Sequence, residues 1–184
     1  MIAWFDYTIL DWFQSIHNEM LTGIFRWITT LGEGGILWGA LALVLLIWKK
    51  TRVIGVTMLL ALLFTLLVGN LTLKPLVARP RPCWRHPEVS LLIANPKDFS
   101  FPSGHAMSSF AAAMAVFMWN RWGGVAAILM AVVMAATRMY FYVHYPTDIL
   151  AGMLIGILLG ILAYWIVKRI VEKRNILQTN ENVL

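Results

Sequence analysis

The chain has 184 residues, of which 60% are hydrophobic and 13% charged, with 15 Lys and Arg against 9 Asp and Glu. A mean hydropathy of +0.73 with so few charges excludes an ordinary soluble domain, in which about a quarter of residues are charged. The formal charge of +6 suits nucleic acid, anionic lipid or an anionic substrate, and the placement of the basic residues has to decide among them.

The N-terminal stretch "MIAWFDYTILDWF" has no basic leader and carries Asp6 and Asp11, so it does not read as a cleaved signal peptide. Apolar residues at 2, 4, 5, 9, 10, 12, 13 and 16 gather on one helical face, with Trp4, Trp12 and Phe13 suited to a membrane interface. Residues 1–33 are therefore expected to form an amphipathic surface helix, with a first span involving 18–33 as the alternative.

Apolar runs follow at 34–48, 53–73, 106–137 (split at "NRWGG") and 148–167. They predict five helices, or six spans if the N-terminal segment crosses, and so an all-α polytopic bundle rather than the alternating strands of a barrel. The expected units are 1–33, a transmembrane bundle over 34–170 and a cytoplasmic tail over 171–184. Gly152, Gly156 and Gly160 form a small-residue ridge on the last span, which serves close packing within the bundle or dimerisation. Cys83 is the sole cysteine and has no internal disulfide partner. The tryptophans at 38, 48, 119, 122 and 165 suit interfacial belts or packing.

Basic residues set the orientation. Lys49, Lys50 and Arg52, then Arg121, then Lys168, Arg169, Lys173 and Arg174 all fall on one side when spans alternate, and that side is expected to be the cytoplasm. Segments 74–105 and 138–148 then share the outer side. The first of these carries Lys74, Arg79, Arg81, Arg85 and Lys97 against Glu88 and Asp98, an excess of cations that an anion-binding role would explain.

Three polar clusters sit on that side, each against the end of an apolar helix: "KPLVARPRP" (74–82), "FPSGH" (101–105) and "TRMYFYVHYPTD" (137–148). Lys74, Arg81 and Arg138 offer one point charge and two planar forks, the donors that surround a phosphoryl group. Ser103 is placed to cap the following helix, and Gly104 lets the backbone come close to an anion at its N-terminus. Asp148 lies four residues beyond His144, where a carboxylate can fix the imidazole tautomer and leave the other nitrogen as a nucleophile. His105 can then protonate the leaving oxygen.

A metal site built from His86, His105, His144 and Asp148 is the competing arrangement. Asp148 is the only acid between Asp98 and Glu172, and the neighbouring Lys74, Arg81 and Arg138 would repel a cation. No metal and no cofactor are expected.

Together the spacings Lys74 to Arg81-Pro82, Pro102-Ser103-Gly104-His105 and Arg138 to His144 to Asp148 resemble the three-part signature of the type 2 phosphatidic acid phosphatase superfamily, although Thr137 stands where the family often has serine. The resemblance implies metal-independent hydrolysis through a phosphohistidine. His144 would be the nucleophile, Asp148 its orienting partner and His105 the general acid. Lys74, Arg81, Ser103, Gly104 and Arg138 would hold the phosphoryl oxygens.

The expected partners are a lipid phosphate and the bilayer, with no nucleic acid. The resemblance to small bacterial members favours undecaprenyl pyrophosphate at the outer face of the cytoplasmic membrane. Phosphatidylglycerophosphate or phosphatidate comes next, followed by a lipid A phosphatase or phosphotransferase and by a non-catalytic binder or transporter of anionic lipid.

Overall fold

A computed structural model describes residues 2–181. The elements are α1 (Ile2–Ser15), α2 (Glu19–Leu31), a 3-10 turn (Glu33–Gly35), α3 (Ile36–Ile47), α4 (Arg52–Thr65), a π-helical stretch (Leu66–Leu73), α5 (Lys74–Val77), α6 (Pro82–Arg85), α7 (Gly104–Trp119), α8 (Arg121–Tyr140) and α9 (Pro146–Glu181). There is no strand among the described residues.

Local chemistry sets the boundaries. Asn18 caps α2 by accepting from the Leu21 N–H, and Asn120 caps α8 by accepting from the Gly123 N–H, which ends α7 at the expected "NRWGG" split. Ser103 caps α7 through the Ala106 N–H. Pro146 occupies the first turn of α9, where its missing N–H costs nothing.

Three segments are long and apolar enough to cross a membrane, Arg52–Arg85, Arg121–Tyr140 and Pro146–Ile176. Glu19–Leu31 with Glu33–Ile47, bent by 48°, makes a fourth. Of the segment 18–33 to which the alternative assigned a span, α2 is one half of a bent pair whose other half is α3, and the two pass together in length and apolarity. Gly34 and Gly35 at the break both have positive φ, 58° and 73°, which glycine adopts without a Cβ clash.

α7, the fifth helix of the bundle, is only 16 residues long. It packs against α4, α8 and α9, and Ala106, Ala111, Ala112, Ala113 and Ala115 are fully buried. Walled by protein, it need not match the thickness of the lipid. The glycine ridge of α9 faces it: a Cβ on Gly152, Gly156 or Gly160 would lie 2.7, 2.3 or 2.6 Å from the carbonyl oxygens of Ser103, Met107 and Ala111. Of the two uses expected for that ridge, the structure shows packing within the bundle.

Large apolar side chains point outward from the bundle, among them Leu129 and Val132 on α8 and Leu154, Leu158 and Leu162 on α9. That inverted surface is the one a bilayer solvates. Trp48, Trp122 and Trp165 are exposed with them, whereas Trp38 and Trp119 turn inward and donate to Ser109 and Thr57. α1 is amphipathic as expected, with Leu10 and Phe13 buried and Trp4, Phe5 and Trp12 exposed. Asp6 departs from the apolar pattern in sequence yet is 1% exposed.

Candidate active site

The ends of α4, α7 and α8 and the loop leading into α9 converge on a cavity of about 850 Å³. Lys74, Arg81, Gly104, His105, Arg138 and His144 all line it. Residues 74–105 and 138–148 therefore share one end of the bundle, as alternating helices require.

Each side chain is aimed by a local feature. The π-helical stretch shifts the helix register just before Lys74. Its Gly69 lies where a Cβ would overlap the Met107 side chain, so α7 can come close. Ala78 in the left-handed region (φ 48°) turns the chain after α5, bringing Arg81 inward to 2% exposure. Arg81 donates from Nη1 to the Val143 carbonyl at 2.7 Å and to His144 Nε2 at 3.0 Å. A guanidinium only donates, so Nε2 is the accepting nitrogen and the ring hydrogen sits on Nδ1.

Nδ1 of His144 faces Asp148 Oδ2 at 3.6 Å, short of a hydrogen bond, and has no other partner. Asp148 is fully buried and occupied from several directions. Its Oδ2 accepts from the Ser100 hydroxyl and from the Tyr145 N–H at 3.0 Å, and its Oδ1 from Arg79 Nη1 at 2.5 Å. The contact to Tyr145, just ahead of Pro146, also makes Asp148 an N-terminal cap of α9.

Arg138 donates from Nη1 to the Thr29 hydroxyl, while its buried Nε has no protein partner. His105 lies beside it, with Nε2 3.3 Å from the Thr29 carbonyl oxygen. Gly104 leaves room where a Cβ would stand 3.3 Å from Asn70 Oδ1 and 3.8 Å from the Lys74 ammonium. Ser103 is fully buried as the cap of α7, and its N–H donates to the Asp148 carbonyl at 3.2 Å.

His86 takes no part in the cavity: it pairs with Glu88 at 2.8 Å and stacks edge-on against Tyr7. Among the described residues no group of three or more His, Cys, Asp and Glu side chains is arranged to hold a metal ion.

Five residues at the site have roles that the sequence did not single out. Asp98 pairs with Lys74 and with Arg81, at 2.7 Å from the latter. Arg79 pairs with Asp148 and Asp6. Ser100 bonds Asp148, and Thr29 holds Arg138. Charge balance was the one available signal, since Asp98 is one of only two acids in a basic loop. The partners themselves are 17 to 109 residues away from the groups they hold, beyond any local pattern.

Asp98 carries a pKa of about 2: burial would raise it, but the hydrogen bond from Lys74 and the charges of Arg81 and Lys74 outweigh burial. His144 is held well below an ordinary imidazole, first by burial and then by the charges of Arg81, Arg138 and Lys74. The site thus presents a neutral imidazole beside three cations, able to accept an anion with a nucleophilic nitrogen at hand.

The sequence pattern of the PAP2 superfamily matches residues 51–172. An undecaprenyl-diphosphatase of Sulfolobus acidocaldarius is 31% identical over 141 residues, 75% of this chain and 68% of that protein. A lipid A 4'-phosphatase of Bacteroides thetaiotaomicron is 32% identical over 68% of this chain and 59% of its own length. The crystal structure of a transmembrane PAP2-type phosphatidylglycerolphosphate phosphatase from Bacillus subtilis superposes with a TM-score of 0.70 at 27% identity, covering 91% of this chain and 85% of that one.

Proposed function

Because the chain belongs to the PAP2 superfamily of lipid phosphatases, we propose that it removes the terminal phosphate of a prenyl pyrophosphate, undecaprenyl pyrophosphate, through a phosphohistidine on His144. The observation that carries the lipid part is the course of the cavity. From its cationic end it runs between Ile36, Gly39 and Leu43 of α3 and Leu62 and Leu63 of α4 with Leu66 of the π-helical stretch, and Ile36, Leu43, Leu63 and Leu66 are exposed on the bilayer side of the bundle. A chain lying in lipid can thus enter sideways while its phosphate reaches the histidines.

Lys74, Arg81 and Arg138 bind the phosphoryl oxygens, and the unpartnered Nε of Arg138 gains an acceptor there. Gly104 lets the oxygens approach, and Ser103 holds the start of α7 in place. Nε2 of His144 attacks phosphorus as the bond to the leaving oxygen breaks, and His105 gives that oxygen its proton. Asp148 steadies the imidazolium that forms on His144. His105 then takes a proton from water, the hydroxide displaces histidine from phosphorus, and inorganic phosphate leaves. Preorganised cations supply the charge stabilisation without a metal ion. The site faces the outer side of a bacterial cytoplasmic membrane, with residues 171–181 inside; the remainder of the expected 171–184 tail lies outside the described residues.

The test is kcat/KM for undecaprenyl pyrophosphate, phosphatidylglycerophosphate, phosphatidate and a soluble phosphate ester in matched detergent micelles, with and without a chelator. The prenyl substrate is expected to lead, because binding of a remote chain positions the reacting bond. Equal rates on the soluble ester would overturn the lipid reading. A preference for a glycerophospholipid would overturn only the prenyl assignment. His144→Ala is expected to lose at least about a thousandfold in rate while remaining folded.

A further inference from the structure

Asp148 is restrained by a residue that never reaches the cavity. Arg79 places Nη1 2.5 Å from Asp148 Oδ1 and 2.8 Å from the Thr147 hydroxyl, and its Nη2 2.7 Å from Asp6 Oδ2 on α1. Asp6 also accepts from the Thr147 N–H at 3.0 Å and from the Thr147 hydroxyl at 2.9 Å. The Arg79 guanidinium lies 3.9 Å over the ring of Tyr145. Asp6 and Asp148 are 1% and 0% exposed, so without Arg79 two buried carboxylates would stand close together with no cation between them.

We propose that Arg79, clamped between Asp6 of α1 and Asp148, is a positioning residue for the nucleophilic histidine: by holding Oδ1 it fixes the carboxylate whose other oxygen, Oδ2, faces His144, and it offsets the negative charge the ring experiences. The proposal rests on His144 being the nucleophile. It extends the hydrolytic machinery to the amphipathic N-terminal helix, which supplies Asp6 from a distance of 142 residues in sequence. Arg79 and Asp6 touch neither substrate nor reacting atoms, since neither lines the catalytic cavity.

The charges around His144 come from every neighbouring element. Lys74 lies on α5, Arg81 before α6, Asp98 on the following loop, His105 on α7, Arg138 on α8 and Asp148 on α9. Behind Asp148 stand Arg79 and Asp6, with Tyr7, Arg85 and Tyr145 around them. Removing the positive charge at 79 leaves Asp148 uncompensated and favours protonated His144. Removing the negative charge at 6 does the opposite. A merely structural role would not give opposite signs.

The experiment is the acid limb of kcat/KM, which reports the essential base of the free enzyme, on full-length protein in detergent with folding checked by thermal melting. Arg79→Gln is expected to move the limb upward by about one pH unit and to lower kcat about tenfold with KM little changed. Arg79→Lys, which keeps the charge, should restore the limb. Asp6→Asn keeps an acceptor for Arg79 and should move the limb downward by a smaller amount. An unmoved limb in folded Arg79→Gln, or the same direction of shift in Arg79→Gln and Asp6→Asn, overturns the proposal. Should Arg79→Gln fail to fold, Asp6→Asn decides: a downward shift supports the clamp, and an unmoved or upward one sinks it. Turnover by folded His144→Ala would instead remove the underlying reading of the nucleophile.

Discussion

Nη1 of Arg81 lies 3.0 Å from Nε2 of His144, with both side chains 2% exposed. The cation proposed to bind phosphate and the nitrogen proposed to attack are thus in direct contact before any substrate arrives. Protonating His144 would put a charge on a buried ring next to Arg81, with Arg138 and Lys74 also near, which is why its pKa falls well below 6.5. Since His144 must be neutral to act as the proposed nucleophile, activity is expected to persist as pH falls through 6.5 and to fail only below it. Arg81→Gln should raise both the acid limb and KM. A wild-type acid limb above pH 6.5 in kcat/KM would contradict this.

Asp98 occupies two of the three cations proposed to bind the phosphoryl group, pairing with Lys74 and Arg81 while remaining 54% exposed on its side chain. With its pKa lowered to about 2, it stays ionised throughout the assay range. Its stabilising pairs are present above the ordinary carboxylate pKa and are lost as pH falls through about 2. Substrate phosphate has to compete with it. Asp98→Asn is therefore expected to tighten inhibition by orthovanadate or inorganic phosphate. The gain is limited to about 1 kcal/mol, or about fivefold, because an exposed pair is screened by solvent. A weaker inhibition constant would mean that Asp98 organises the cations instead of competing for them.

Gly156 faces Met107 so closely that a Cβ would lie 2.3 Å from its carbonyl oxygen. Backbone cannot yield as a side chain can, so Gly156→Ala should destabilise the protein by about 1–3 kcal/mol and lower its melting temperature in detergent. Gly23→Ala is the control, since nothing lies within 4 Å of a Cβ there and alanine favours the helix. Equal melting temperatures for the two variants would refute the close packing of α7 on α9.

Orientation can be read by single-cysteine labelling. Cys83 is buried, and a Cys83→Ser background removes its residual reactivity. Lys97 is exposed beside the site, and Arg121 is exposed at the start of α8. Lys97→Cys should label with an impermeant maleimide in intact cells, and Arg121→Cys only after permeabilisation. The reverse pattern would invert the proposed topology while leaving the two site segments on a common side.

The amino-acid order by itself determined the class of the molecule and the end of the bundle at which the candidate catalytic residues gather. Apolar runs of membrane length make helices whatever their neighbours, because lipid offers no partner for a free backbone N–H. Alternation of those helices then brings Lys74, His105 and His144 to one end. Ser103 and Asn120 were likewise legible as boundaries, because capping acts over three residues. The bent α2–α3 pair was not. Its two halves fall on either side of Gly32–Gly35, and only packing against α8 and α4 sets how they share the crossing. The glycine ridge announced a close approach, but α7 became its partner through backbone shape, which no side-chain pattern encodes. The same holds for the electrostatics of the site. Asp6, Thr29 and Asp98 have no spacing that marks them, because a buried charge selects its partner by proximity in three dimensions and by the cost of remaining unpaired. Tertiary structure alone joined Asp6 to Arg79, Arg79 to Asp148, and Asp98 to the two cations.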